Sequence, residues 1–80
     1  VIIEHGCQIH EYVFFGPKAY VGAYTEIEER AFIGQCSVLI SEKAKQIGKN
    51  TLIGAGSLVT KPMPDEIVAA GSPARVLRER

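Results

Sequence analysis

Aliphatic or aromatic residues recur at every sixth position of this chain. The series runs through Ile3, Ile9, Phe15, Val21, Ile27, Ile33 and Leu39, and it resumes at Ile47, Ile53 and Val59. A small or β-branched residue stands four positions after most of them, and glycine often follows the apolar residue directly. Neither the alternation of a strand nor the period of a helix produces a spacing of six. The pattern is a hexapeptide repeat, which is typical of parallel β-helices.

Each hexad predicts one short strand and one tight turn, so three hexads should close a triangular coil of 18 residues. Stacked coils would lie about 4.8 Å apart, with the apolar residue of each hexad pointing inward. Residues 3–20 and 21–38 predict two regular coils, and residues 39–58 predict a third. In that third coil Leu39 and Ile47 are eight positions apart instead of six. Residues 41–46 are therefore predicted to form a bulged corner.

The repeat stops after Val59. Pro62 and Pro64 cannot donate to a strand ladder, so the chain should leave the prism there. Residues 67–70 predict a short final strand, and residues 71–77 predict a turn and cap, because a solenoid must cover its open edge. The expected architecture is all-β and forms one domain. It has a β-helix of about three triangular coils over residues 1–60 and a C-terminal turn, strand and capping tail over 61–80.

Composition narrows the class of protein. Net charge is zero, but residues 1–42 hold six acids against two bases, whereas residues 43–80 hold seven bases against three acids. This gradient is compatible with an ordinary solvated surface, or with late coils that face an anionic ligand. Few aromatic residues are interleaved with the bases, so no nucleic-acid partner is expected. The chain begins at Val1, already in register, as the end of a longer chain would.

The chain has no apolar run long enough to span a membrane and no signal peptide, which predicts a cytoplasmic protein without a membrane partner. Cys7 and Cys36 lack metal-binding spacing and are expected to be free thiols. A short open prism leaves apolar surface uncovered, so association with further copies is expected.

The second half of the sequence resembles the C-terminal signature of the hexapeptide-repeat acyltransferases. The resemblance rests on residues 47–61 (IGKNTLIGAGSLVTK), on Pro64-Asp65 and on residues 68–75 (VAAGSPAR). Residues 3–9 (IEHGCQI), with Tyr12-Val13 and Gly16-Pro17, are similar to the sialic acid O-acetyltransferase and bacillosamine N-acetyltransferase branch. The resemblance implies a left-handed β-helix, a homotrimer, an acyl-CoA donor such as acetyl-CoA, and a sugar or sugar-nucleotide acceptor that accepts the acyl group on a hydroxyl or an amine.

The same resemblance assigns roles to four residues. His5 matches the general base of that branch, and a neutral imidazole, with an ordinary pKa of about 6.5, accepts a proton at cellular pH. Ala23 stands one coil later, where a backbone N–H binds the thioester oxygen. Lys61 and Arg75 fall where the family's cofactor passes the last coil, so they are the expected contacts to coenzyme A phosphates. As exposed bases, both are equally compatible with binding nothing.

Two departures from the family pattern keep an alternative open. Gly6 replaces the acid that usually follows the histidine, and Phe14 replaces a second histidine nine positions later. Because an orienting partner keeps a base in the correct tautomer, the alternative is a catalytically inactive β-helix trimerisation module or a fragment of a larger transferase. A γ-type carbonic anhydrase shares the architecture but needs three histidines at its zinc. This chain has only His5 and His10, which should lie on different edges, so no metal site is predicted.

Overall fold

The computed structural model describes all 80 residues, Val1–Arg80, and consists of strands and turns without a helix. Two longer strands end the chain, β11 (Ile67–Gly71) and β12 (Ala74–Glu79). Ten strands of two residues each precede them: β1 (Ile2–Ile3), β2 (Gln8–Ile9), β3 (Phe14–Phe15), β4 (Tyr20–Val21), β5 (Glu26–Ile27), β6 (Phe32–Ile33), β7 (Val38–Leu39), β8 (Gln46–Ile47), β9 (Leu52–Ile53) and β10 (Leu58–Val59). The structure contains no helix that could cross a membrane.

Consecutive strands belong to three different sheets, so the chain winds around a three-sided prism. Face A has the order β1-β4-β7-β10, face B has β2-β5-β8, and face C has β3-β6-β9-β11-β12. Every pairing is parallel except that of β11 with β12. Strands in the middle of the stack thus pair with strands of the coils above and below them, and strands at its ends pair on one side. This arrangement confirms the predicted parallel β-helix.

The strand register gives the length of each coil. Ile2 pairs with Tyr20, an offset of 18 residues, whereas Glu26 pairs with Gln46, an offset of 20. The two extra residues lie in the corner over residues 41–46, where Glu42 and Lys45 both have φ near 60°. Ala44 lies between them and is fully buried. The predicted bulged corner is confirmed, and its inward position is filled by the small Ala44 side chain.

The inward position of each hexad forms the core. Val21, Ile27, Ile33, Leu39, Ile47, Ile53 and Val59 have no exposed surface. Small hydroxyl residues fill the inside of several corners and bond to nearby backbone: the Thr25 hydroxyl donates to the Gly22 carbonyl at 2.8 Å. In the first coil Ile3 is 44% exposed and Ile9 38%, because no coil lies beneath them.

The solenoid has about four turns, one more than the three coils predicted. The fourth turn consists of β10, a bridge between Met63 and Ile47 on face B, and β11, which pairs with β9 on face C. The sequence did not reveal it as a turn because its proline-rich segment breaks the hexad register. The turn predicted over residues 71–77 is confined to residues 72 and 73. Residues 74–79 instead form β12, which folds back along β11 as an antiparallel strand and covers its open edge.

Inward residues should dominate stability. Ile33→Ala removes a side chain without exposed surface and should lower the free energy of unfolding by about 2–5 kcal/mol through lost burial and a residual cavity. Leu77→Ala is the matched control, since Leu77 is 63% exposed and its loss should cost no more than about 0.5 kcal/mol. Urea unfolding followed by circular dichroism measures both. Equal destabilisation would contradict the assignment of the core.

Candidate active site

His5, Ala23, Ser41 and Lys61 form one column at the corner where the chain passes from face A to face B. Ile3 pairs with Val21, Val21 with Leu39, and Leu39 with Val59, so the residues two positions later stack in the same order. We call this the AB column. With coils about 4.8 Å apart, Lys61 lies roughly 14 Å along the edge from His5. The fold therefore brings three of the four predicted site residues to one edge.

The His5 side chain lies exposed at the lower end of the AB column, against an aromatic ring. The imidazole packs edge-on against Tyr24, with ring centroids 5.1 Å apart and an interplanar angle of 88°. The Tyr24 backbone N–H donates to the His5 carbonyl at 3.1 Å, which ties the two coils together here. No carboxylate bonds to the His5 ring within the chain. Both ring nitrogens thus remain available for a substrate.

The Tyr24 ring lies where the side chain of an acid at position 6 would project. Gly6 has φ of +74°, and a Cβ placed on it would lie 2.4 Å from Cδ1 of Tyr24. The tyrosine ring thus covers the space into which a side chain at position 6 would project. An acid in place of Gly6 requires Tyr24 to move, so the two residues form a matched pair.

Glu4, which precedes His5, is hydrogen-bonded to Tyr20. The Tyr20 hydroxyl donates to Glu4 Oε2 at 2.9 Å. This hydrogen bond raises the pKa of Tyr20 above its ordinary value, because the phenolate would lose the bond, and partial burial and the Glu4 charge act in the same direction. Glu4 is therefore held by Tyr20 and not by the neighbouring imidazole.

The backbone N–H of Ala23 has a partner already. It donates to Oγ of Ser41, one coil above, at 2.9 Å, and Ala23 is only 7% exposed. A thioester oxygen can reach this N–H only when the Ser41 hydroxyl turns away. Sequence reasoning did not single out Ser41, although it stands 18 positions after Ala23 and hence directly above it in the column.

His10 is the histidine that has carboxylate partners. Its Nε2 lies 2.8 Å from Glu26 Oε2 and 3.7 Å from Glu28 Oε1. The hydrogen bond to Glu26 raises the pKa of His10 above 6.5, and the charges of nearby glutamates add to this while desolvation opposes it. Because a protonated ring cannot accept a proton, His10 is the weaker candidate base. It follows β2 at the end of face B, on a different edge from His5, as predicted.

An apolar groove of about 320 Å³ lies on face C and does not include His5. Phe14 and Phe32 stack in it with centroids 4.5 Å apart, and Phe14 is 50% exposed. Ten residues line the groove: Phe14, Gly16, Pro17, Phe32, Gly34, Gln35, Leu52, Ile53, Gly54 and Ala55. Phe14, which replaces the family's second histidine, is thus part of an apolar surface.

The two predicted phosphate contacts lie on different parts of the prism. Lys61 is exposed at the top of the AB column, whereas Arg75 is exposed on β12, opposite Ala70 at the outer end of face C. Ala70 stacks directly above Gly54, which lines the groove. Lys61 and Arg75 therefore do not form one phosphate site within a single chain. Sequence reasoning could not separate them, because both follow the last regular coil.

The pKa of His10 should respond to Glu26. Since the folded-state pKa lies above 6.5, the pair stabilises the folded chain fully below that pH and loses its contribution as pH rises through the raised value. Nuclear magnetic resonance titration of the two imidazoles should give a higher midpoint for His10 than 6.5, and Glu26→Gln should lower it. Glu42→Gln is the matched control. If Glu26→Gln left the titration midpoint of His10 unchanged, the hydrogen bond between the two side chains would be contradicted.

The chain is similar to several acetyltransferases, although no family model matches it. GDP-perosamine N-acetyltransferase from Escherichia coli O157:H7 is 38% identical over 82 residues, covering 95% of this chain and 36% of that protein. Galactoside O-acetyltransferase from Lactococcus lactis is 47% identical over 53 residues, covering 66% of this chain and 25% of that protein.

Among solved structures, WeeI from Acinetobacter baumannii AYE matches with a TM-score of 0.89 and 36% identity, covering 94% of this chain and 37% of that one. This match confirms the predicted left-handed β-helix. The chain spans 25% and 36% of the two relatives described above. In its repeat, its fold and its relatives, the chain is thus similar to the hexapeptide-repeat acetyltransferases.

Proposed function

We propose that the chain carries out acetyl transfer from acetyl-CoA to a hydroxyl or amine of a sugar or sugar nucleotide, with His5 as general base. The observation that carries the proposal is the AB column, which places an exposed imidazole, a backbone donor and a lysine along one edge. Two relatives act, by name, on a galactoside and on a GDP-linked sugar. The class of acceptor is inferred from them.

In the proposed reaction the hydroxyl oxygen or amine nitrogen of the sugar attacks the thioester carbonyl. His5 takes up the proton that this oxygen or nitrogen loses. The tetrahedral intermediate then collapses, the carbon–sulfur bond breaks, and the imidazolium returns the proton to the coenzyme A thiolate. No acyl-enzyme is required. Cys7, the nearest thiol along the sequence, is partly buried and donates to the Gly22 carbonyl at 3.2 Å, without a base beside it.

The other column residues have complementary roles in this proposal. The Ala23 N–H stabilises the developing oxyanion once the Ser41 hydroxyl turns away, and such a donor contributes about 3 kcal/mol to barrier lowering. Lys61 lies roughly 14 Å from His5, a separation that lets the thioester end of an extended cofactor reach the imidazole while an anionic group stays beside the ammonium. Arg75 would contact the cofactor from a different prism.

A homotrimer completes the site in this proposal. His5 lies on the edge between faces A and B, whereas the groove lies on face C, so one chain cannot apply both to the same ligand. In a closed ring of three prisms, an edge of each copy meets a face of the next. The half-exposed Phe14 gives face C an apolar contact surface. The groove of one copy would then face the AB column of its neighbour, and the acceptor would bind between them.

Replacing His5 tests the chemistry. His5→Ala should lower kcat by about 10²–10⁴-fold and leave acetyl-CoA binding nearly unchanged, because proton removal matters in the transition state. Release of free coenzyme A thiol measures turnover, with amino- and hydroxy-sugar nucleotides screened first as acceptors. The wild-type rate should rise with pH as the imidazole loses its proton.

His10→Ala is the matched control and should change kcat little. An active protein that loses nothing on His5→Ala would overturn the mechanism. Acetyl-CoA binding without turnover on any acceptor, or no binding at all, would favour the inactive trimerisation module, which the missing carboxylate partner of His5 also favours.

The pairing of Gly6 with Tyr24 makes a second prediction. Gly6→Asp alone should lower the rate, because the new side chain collides with the Tyr24 ring. Gly6→Asp combined with Tyr24→Ala should recover the rate, since the carboxylate can then orient the imidazole as the ring did. Steady-state kinetics of both single variants and the double variant form a mutant cycle. Strictly additive effects would contradict the pairing of Gly6 with Tyr24.

A further inference from the structure

Three side chains of types that commonly bind metal ions lie close together on face B, away from the AB column. They are His10, which follows β2, and Glu26 and Glu28, which lie on either side of the inward Ile27. One ligand atom from each residue lies within 4.8 Å of the other two. No role in the proposed acetyl transfer uses any of these residues, so the cluster is unexplained by that function.

The distances suit a single ion. His10 Nε2 is 2.8 Å from Glu26 Oε2 and 3.7 Å from Glu28 Oε1. Nitrogen and oxygen ligands bound tetrahedrally to zinc at their usual bond lengths are roughly 3.4 Å apart. The two separations lie on either side of that value, and all three ligand atoms lie within 4.8 Å of one another.

The charges also suit a divalent cation. Glu26 and Glu28 have no lysine or arginine partner, since the one arginine pair in this region is that of Arg30 with Glu29. When His10 is neutral the three side chains carry two negative charges, held close together on one face. A divalent ion would neutralise both and remove the repulsion between the carboxylates.

A neighbouring residue orients one of the ligands. Gln46, one coil above Glu26, donates from Nε2 to Glu28 Oε2 at 2.9 Å. That bond occupies one carboxylate oxygen and leaves the other, Oε1, on the side of His10. Hydrogen bonds of this kind commonly hold metal ligands in position and contribute to affinity.

We propose that His10, Glu26 and Glu28 bind one divalent transition-metal ion of the zinc class, with Gln46 orienting Glu28. One imidazole nitrogen with two carboxylates favours zinc, cobalt or nickel over the all-oxygen shells of calcium and magnesium. The three side chains are 44%, 36% and 26% exposed, so an ion can enter from solvent and keep water in its open positions. The sequence predicted no metal because only histidines and cysteines were considered as ligands, and Glu26 and Glu28 stand 16 and 18 positions after His10.

Zinc titration tests the site. Isothermal calorimetry with zinc chloride should show one ion per chain, and His10→Ala and Glu28→Gln should each weaken binding by at least about tenfold. Gln46→Ala should weaken it by about tenfold, because the carboxylate loses its orienting bond. A parallel cobalt(II) titration followed by visible absorption reports the ligand set directly. Circular dichroism checks that each variant keeps its strand structure.

Two controls separate this site from adventitious binding. His5→Ala removes the other histidine, and Cys36→Ser removes the exposed thiol, so neither should change the affinity. Absence of saturable binding at about 100 μM zinc would overturn the proposal, as that limit is far above the range of a built site. Binding that survives His10→Ala, or that disappears with Cys36→Ser, would overturn it equally. None of these results depends on acetyl transfer.

Discussion

Hydrogen bonds between the backbones of successive coils are the interaction on which the rest of the structure depends. The Ile2 N–H donates to the Ala19 carbonyl at 3.0 Å and the Glu4 N–H to the Val21 carbonyl at 2.9 Å, and the same pattern continues along all three faces. Strands of two residues cannot persist alone, so each depends on its pairing with at least one neighbouring coil. The hexad spacing is what keeps every strand in register with its neighbours.

This register brings residues that are 18 or 20 positions apart in the sequence next to each other in the structure. Residues one coil apart stand directly above one another, which gathers His5, Ala23, Ser41 and Lys61 into the AB column and brings His10 beside Glu28. The two-residue insertion in the corner over 41–46 changes the offset from 18 to 20 without disturbing the columns, because the extra residues bulge at the corner. Side chains on the edges can therefore differ from coil to coil while the inward positions stay aliphatic.

The repeat predicted the features that depend on the backbone. The inward ladder, the bulged corner and the separation of His5 from His10 all follow from counting in sixes. The fourth turn was not predicted, because Pro62 and Pro64 interrupt the pattern while Met63 still bridges to Ile47. The coils thus continue to stack beyond the point where the hexad pattern of the sequence stops.

Features that depend on side-chain direction could not be predicted. The hexad places Tyr24 one coil above Gly6 but does not say that its ring turns over Gly6 against His5. It places Ser41 above Ala23 but not its hydroxyl on the Ala23 N–H. Likewise, it stacks Glu28 over His10, yet the shorter contact of His10 is the diagonal one to Glu26.

The proposed function requires the donor to bind along the AB column. Titration of isotope-labelled protein with acetyl-CoA, followed by amide chemical shifts, tests it most directly. The account predicts that the largest shifts follow the column, from the amides around His5 through Ala23 and Ser41 to Lys61, with Ala23 strongly affected because its hydrogen bond to Ser41 is exchanged for one to the ligand. Shifts centred on face B near His10, with the column unchanged at saturation, would contradict it.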